Sequence, residues 1–342
     1  MYFQEDGTAY TQGYKGLAVR YHADADGNLT LISKDTGYRY YFKTNGNAYT
    51  YGFLQFVHTN GNTYRMYFQA DGTAYTDGYK ALTYRYQADA DGNISLLSND
   101  TTYKYYFMSN GNAFTGGLLK FTCNNNTCYY YFQADGTALT SSYKKITKLS
   151  TADADGNITS EEVSTCAYYF NDNGYGTAQK KWVKIDGSWY YFNPDTFELE
   201  FASDAMYAAW QKIKDNSSNT KYYIVVDTDA CETMIFKGSA GNWEPYKDFS
   251  CAPGADSTPT VKGTYTIQDR GYSFGTSSYT CYYWTRFYGN YLFHSVLYYA
   301  NTKDIKDGRT GMRLSHGCVR LDIDNAKFIY DYMTEGTKVY IY

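Results

Sequence analysis

The sequence predicts a mainly β protein in two parts. An N-terminal solenoid of aromatic β-hairpins is followed by a β-rich C-terminal domain with a short helix after a cysteine motif. Three observations predict this. A Tyr-Tyr-Phe-x-x-[Asp/Asn]-Gly motif recurs over roughly the first 200 residues. Tyrosine makes up 44 of 342 residues against only four prolines, and its flat apolar face with a polar tip suits half-buried strands. Beyond residue 220 the chain reads as β-branched and aromatic runs separated by glycines.

The repeats come first. "MYFQEDGTAYTQGYKGL" at Met1 returns as "MYFQADGTAYTDGYKAL" at Met66 and "YYFQADGTALTSSYKKI" at Tyr130, at offsets of 65 and 64 residues. A second form interleaves with it from Tyr40, Tyr105 and Tyr168, and "WYYFNPD" at Trp189 closes the series. Asp-Gly and Asn-Gly suit a two-residue hairpin turn in which both central residues take positive φ. One hairpin cannot bury its aromatic face alone, so successive hairpins must stack. Met1 falls inside a repeat, so the chain reads as a fragment with an export signal and more repeats expected upstream.

Alternate units carry an "ADADGN" insert at Ala23, Ala88 and Ala152. In the third copy Asp153, Asp155 and Glu162 occupy the third, fifth and twelfth positions of a calcium loop, but Thr151 fills the first. Ser33 and Ser98 hold the twelfth position in the other copies. An Asp-Gly turn joining two strands is the expectation.

The pattern changes near residue 203. "DAMYAAWQKIK" places Ala205, Ala208, Ala209 and Ile213 on a helical stripe with Asp204 as cap, and "DNSSNT" reads as a loop. The expected organisation is a repeat solenoid over 1–202, a helical linker over 203–220 and a catalytic domain over 221–342. Near the end "DIDNAKFIYDYM" puts Ile323, Ala326, Ile329, Tyr330 and Met333 on one helix face, capped by Asp322. "SHGCVR" then lies in a loop entering that helix, where free N–H groups and the dipole would favour a thiolate.

Composition narrows the function. Charged residues are 19% and the net charge is −4, which argues against a nucleic-acid partner. No 18-residue apolar run is present to span a membrane. Seven cysteines are an odd number, so pairing six leaves a free thiol, and only Cys123 and Cys128 are close enough in sequence to close a local hairpin. Of four histidines, His294 and His316 lie within 25 positions of Cys318. A thiol of pKa about 8.5 is mostly protonated at neutral pH, so a nearby imidazole base would raise its reactivity. A group such as Ser295 or a backbone carbonyl would fix the imidazole tautomer. Zinc is disfavoured: His316 and Cys318 are two apart in a glycine turn, no fourth ligand suggests itself and no C-x-x-C occurs. No cofactor is expected.

Two resemblances sharpen these readings. The "YYF-x-x-[DN]-G" units over about 1–200 resemble the choline- and glucan-binding cell-wall repeats of secreted Gram-positive proteins. That resemblance implies secretion, wall association and binding of wall polysaccharide or teichoic acid. Choline itself is disfavoured, because tryptophan occurs in the repeats only at Trp182 and Trp189. "FHSVLYY" with His294 followed by "SHGCVRL" resembles the signature of the L,D-transpeptidases (YkuD-type domain), with "TPTVKGTYTI" and "DNAKFIYDY" as further similar stretches. The family implies Cys318 as nucleophile and His294 as base. It implies backbone donors from His316, Gly317 and Cys318 for the oxyanion, with Ser315 and Arg320 at the substrate. The expected substrates are a donor tetrapeptide stem and the amine of a second stem's diamino acid. An L,D-carboxypeptidase is the alternative within the family. A non-catalytic wall- or glucan-binding protein is the alternative outside it. A papain-like protease is disfavoured because His294 precedes Cys318.

Overall fold

A computed structural model describes residues 1–342, apart from the side chains of residues 35 and 36. The chain forms two compact units, residues 1–181 with 192–199, and residues 182–191 with 200–342.

In the first unit, long hairpin arms alternate with short hairpins. The arms are Gly13–Ala23 with Leu29–Phe42, then Gly78–Leu82 and Arg85–Ala88 with Ile94–Ser98 and Tyr103–Phe107, then Ser142–Ala152 with Ile158–Phe170. The short hairpins are Gly52–Val57 with Thr63–Phe68 and Gly117–Cys123 with Asn126–Phe132. Each short hairpin also pairs in parallel with the next arm, Leu54 opposite Tyr86 and Leu119 opposite Ser150. Alternation sends Leu54, Phe56, Met66 and Phe68 to one core and Phe53, on the opposite face, to a second core with Tyr105 and Phe107.

The Asp-Gly and Asn-Gly turns of this unit differ from the expected two-residue type, which is realised at Asp186–Gly187, with φ of +51° and +92°. Gly72 takes φ of +81° while Asp71 keeps negative φ. Gly72 N–H donates to the Gln69 carbonyl at 3.1 Å, and the Asp71 carboxylate accepts from the N–H of Thr73 at 3.0 Å. Only the glycine needs left-handed backbone, as in longer hairpin loops closed by a glycine bulge. In the "ADADGN" loops the first carboxylates are occupied by the turn itself: Asp24, Asp89 and Asp153 each accept from backbone N–H groups two and four residues on. Cys123 and Cys128 form a disulfide across the Asn124–Asn125 turn. Cys166, Cys231, Cys251, Cys281 and Cys318 are free.

The second unit is built on one sheet with the strand order Gly263–Thr266, Lys338–Ile341, Tyr222–Asp227, Glu232–Lys237, Glu244–Ala252, Val319–Leu321, Tyr291–Ser295, Tyr279–Tyr288, Leu297–Tyr298, Ile305–Asp307. Arg270–Thr276 pairs with Tyr279–Tyr288. Strand Tyr222–Asp227 is buried on both faces, which explains its unbroken apolar run. Tyr222, Ile224 and Val226 face a core that includes Phe293, Val319, Leu321 and the helix α2 (Ile323–Tyr332) with Ala326 and Ile329. Tyr223 and Val225 face a second core with Met206, Ala209 and Ile213 of the helix α1 (Asp204–Ile213).

The segment 203–220 is therefore not a free linker. Its helix covers one face of the sheet, and Trp210 Nε1 donates to the Trp243 carbonyl at 2.9 Å. The last repeat hairpin joins the same core through Trp182, and Trp189 stacks on Tyr207 at 3.6 Å. The cap of α1 is Ser203, whose Oγ accepts from Met206 N–H at 3.0 Å. Asp204 instead accepts from Trp189 N–H at 2.7 Å, and Ala208 faces solvent. In α2 Asp322 holds the cap position without a side-chain hydrogen bond.

Candidate active site

Strands Tyr291–Ser295 and Val319–Leu321 run parallel, with Phe293 opposite Val319, His294 opposite Arg320 and Ser295 opposite Leu321. Phe293 and Val319 enter the α2 core, so alternation sends His294 and Arg320 to the other face. Cys318 lies two residues before Arg320, just ahead of the strand, and the Arg320 charge acts on both His294 and Cys318.

His294 is only 4% exposed. Its Nδ1 lies 2.6 Å from the Ser295 carbonyl oxygen. A carbonyl only accepts, so Nδ1 carries the hydrogen and Nε2 keeps its lone pair. The orienting group is thus the Ser295 backbone. The Ser295 hydroxyl is committed elsewhere, accepting from Tyr282 N–H at 2.8 Å and donating to the Val296 carbonyl. Burial first, and Arg320 to a smaller extent, push the imidazole pKa down to about 4 against the Ser295 hydrogen bond, so the ring is neutral at pH 7. Phe274 packs edge-on against it at 5.2 Å.

Cys318 is half-buried, and its Sγ donates to the Asn290 carbonyl at 3.6 Å. Burial raises the thiol pKa, opposed by the Leu292 N–H and by Arg320. The expected helix start does not apply. The strand Val319–Leu321 intervenes before α2, so the dipole end lies beyond the thiol and no thiolate is favoured at rest.

The loop before Cys318 is held by Ser315. Its hydroxyl donates to the Cys318 carbonyl and accepts from Gly317 N–H at 3.1 Å. Ser315 is 1% exposed, so it shapes the loop and offers no surface to a substrate. Gly317 N–H is already used and is no oxyanion donor. Gly317 has φ of +114°, and a Cβ there would lie 2.8 Å from the Tyr291 ring. Both facts require glycine. The Thr258 stretch packs behind the loop: Ala255 N–H and Thr258 Oγ1 donate to the Ser315 carbonyl at 2.9 and 3.0 Å.

Arg320 is 7% exposed and pairs with Asp307 at 3.4 Å. Asp307 also accepts from Arg309 at 2.9 and 3.0 Å, and these contacts hold its pKa down to about 2. Arg320 therefore ties the Ile305–Asp307 strand to the site. Exposed His316 lines a cleft of about 590 Å³ with Thr258, Pro259, Thr260, Val261, Lys262 and Tyr291. Sequence reasoning missed Asp307, Phe274 and Asn290, because each reaches the site from a loop or strand whose approach no local pattern encodes. Cys281 was missed for the same reason. It is fully buried and within the fields of Arg320 and Cys318.

Comparison with known proteins bears on both units. Residues 221–341 match the family described as the L,D-transpeptidase catalytic domain (YkuD). Residues 180–195 match the family described as "Putative cell wall binding repeat". The chain is 40% identical over 133 residues to "Putative L,D-transpeptidase YciB" of Bacillus subtilis (strain 168), covering 37% of this chain and 62% of that protein. Among solved structures, a Clostridium acetobutylicum ATCC 824 protein titled a fused Zn-dependent amidase/peptidase/peptidoglycan-binding domain-containing protein is 38% identical. That match covers 40% of this chain and 59% of the other, with a TM-score of 0.34. An L,D-transpeptidase from Mycobacterium smegmatis is 22% identical, covering 36% and 58%, with a TM-score of 0.29. The chain thus spans less than two thirds of the length of these relatives. The chain is thus similar to the L,D-transpeptidase catalytic domain over residues 221–341 and to a cell-wall-binding repeat over residues 180–195.

Proposed function

We propose that this protein is a secreted peptidoglycan L,D-transpeptidase of a Gram-positive cell wall that works through a Cys318 acyl-enzyme. The observation that supports the proposal is a neutral, carbonyl-anchored His294 paired opposite Arg320, two residues beyond Cys318 in the chain.

The thiol turns from the Asn290 carbonyl toward the imidazole. Sγ attacks the carbonyl joining the third stem residue to the terminal D-alanine, and His294 Nε2 takes the thiol proton. The Cys318 N–H, with that of His316, faces the developing oxyanion. His294 returns its proton to the leaving amine, the C–N bond breaks, D-alanine departs and a thioester remains. The side-chain amine of a second stem's diamino acid attacks this thioester, His294 takes the amine proton, and Sγ leaves to be reprotonated. Arg320, held by Asp307, orders the site and favours the thiolate that forms during attack. The cleft bordered by His316 and Lys262, beside the loop that leads into Cys318, would receive the stem peptide. Repeats bound to wall polysaccharide or teichoic acid would raise the effective concentration of a domain whose substrate is the same polymer.

Incubation with tetrapeptide muropeptides, read by mass spectrometry, tests this. Cross-linked dimers from the wild type and none from Cys318→Ala are expected. Tripeptides alone would replace the transferase with an L,D-carboxypeptidase, and turnover by Cys318→Ala would overturn the mechanism.

A further inference from the structure

The cleft beside the site holds one cation that the protein itself does not use. Among the described residues, no carboxylate lines it, and Lys262 is its only lysine or arginine. Every other lysine of the second unit has a partner. Most lie over aromatic rings, as Lys303 lies over Tyr282 at 3.3 Å and Lys247 over Phe328 at 5.0 Å. Lys306 donates to the Ser278 carbonyl at 2.8 Å, Lys338 donates to the Thr266 hydroxyl at 3.3 Å, and Lys327 pairs with Asp331. Among the described residues, the exposed Lys262 ammonium has no hydrogen bond, ion pair or ring contact.

Its backbone, by contrast, is fixed. The Lys262 carbonyl accepts from the Tyr265 hydroxyl at 2.9 Å. Two residues earlier, buried Thr260 accepts through Oγ1 from Gly254 N–H at 2.8 Å. Gly263 follows with φ of +138°, a left-handed position that suits glycine. Holding the backbone leaves only the side chain to order when an anion arrives.

The cleft also adjoins the reacting groups from both sides. Tyr291 lines it and begins the strand that carries His294. The same ring is the one that a Cβ on Gly317, next to Cys318, would strike at 2.8 Å. His316 borders the cleft two residues before Cys318.

We propose that Lys262 is a specificity residue that binds a free carboxylate of the donor stem. The cleft then selects stems with that carboxylate over stems in which it is a carboxamide. This rests on the transpeptidase reading. An ammonium gives a carboxylate a charge-assisted hydrogen bond, and a carboxamide lacks the charge that strengthens it. In an open cleft the pair is partly screened, so the preference is moderate and falls with salt. Two stem positions can supply the group. A second residue joined to the third through its side-chain carboxyl keeps its own α-carboxyl. A diamino acid with two carboxyl groups keeps one outside the peptide chain.

The test uses the full chain and four synthetic tetrapeptide stems, with carboxylate or carboxamide at the second residue and with or without a side-chain carboxylate on the third. Acylation of Cys318 is followed by intact mass. The wild type should favour a carboxylate stem over its uncharged counterpart by about fivefold or more in kcat/KM, and the pair of stems that differs identifies which carboxylate is held. High salt should shrink the preference. Lys262→Met should abolish it, Lys262→Arg should keep it, and Lys262→Glu should reverse it. Equal rates for all four stems, or a wild-type preference in Lys262→Met, would overturn the proposal while leaving the transpeptidase reading intact. Acylation by none of the stems would overturn that reading and this proposal with it.

Discussion

His294 and Arg320 stand opposite one another across the parallel pairing of strands Tyr291–Ser295 and Val319–Leu321, and the guanidinium acts on both the imidazole and the Cys318 thiol. Its charge disfavours imidazolium and favours thiolate. Replacing Arg320 with Gln should therefore raise both pKa values. At a fixed alkaline pH, Cys318 alkylation by iodoacetamide should slow, and the acid limb of the activity profile should move upward. Arg320→Lys should recover part of both effects. An unchanged alkylation profile would remove Arg320 from the electrostatics of the site.

Stability should depend on pH through His294. Its pKa is about 4 when folded and about 6.5 when unfolded. Between these values the unfolded chain binds a proton that the folded chain does not, so stability is full above about pH 6.5 and falls as pH drops toward 4. The loss from this residue is about 3 kcal/mol at most. Urea unfolding at pH 7 and pH 5 should show a smaller difference for His294→Gln than for the wild type. Parallel curves would contradict the assignment.

Gly317→Ala tests the loop. The new methyl would meet Tyr291 in a left-handed backbone position, costing about 1–3 kcal/mol. Thermal unfolding should register the strain, and acylation by a carbapenem, read by intact mass, should fall. Adding Tyr291→Ala should relieve the contact but not the backbone cost. A wild-type melting temperature in Gly317→Ala would show that the loop adapts freely.

The role of α1 is also measurable. Ile213 is fully buried against the sheet, so Ile213→Ala should destabilise the second unit by about 2–5 kcal/mol. Ser203→Ala, which loses the cap, should cost about 1 kcal/mol. A helix serving only as a linker would leave unfolding of the second unit untouched by either change.

The repeats, the β-rich second unit and the cysteine–histidine motif were legible because each is written locally, in the period of the aromatic motif, in alternating strands and in "SHGCVR". The turns of the first unit were misread as two-residue turns, because Asp-Gly also fits a loop in which only glycine leaves the usual backbone region, whereas Asp186–Gly187 is of the expected type. The cap of α1 shifted to Ser203 when Trp189 claimed Asp204. The thiolate-favouring helix start failed because three residues between motif and helix joined a parallel strand. Such pairings, like that of Arg320 with Asp307, depend on where distant segments meet, and a local reading does not contain them.

The central claim is that Cys318 accepts an acyl group with His294 as its base. Intact-mass and peptide mass spectrometry after incubation with a tetrapeptide muropeptide measure this directly. The account predicts a thioester adduct on Cys318 in the wild type and none in Cys318→Ala. In His294→Ala, adduct formation should slow by about a hundredfold or more. An adduct on another residue, or undiminished acylation of His294→Ala, would contradict it.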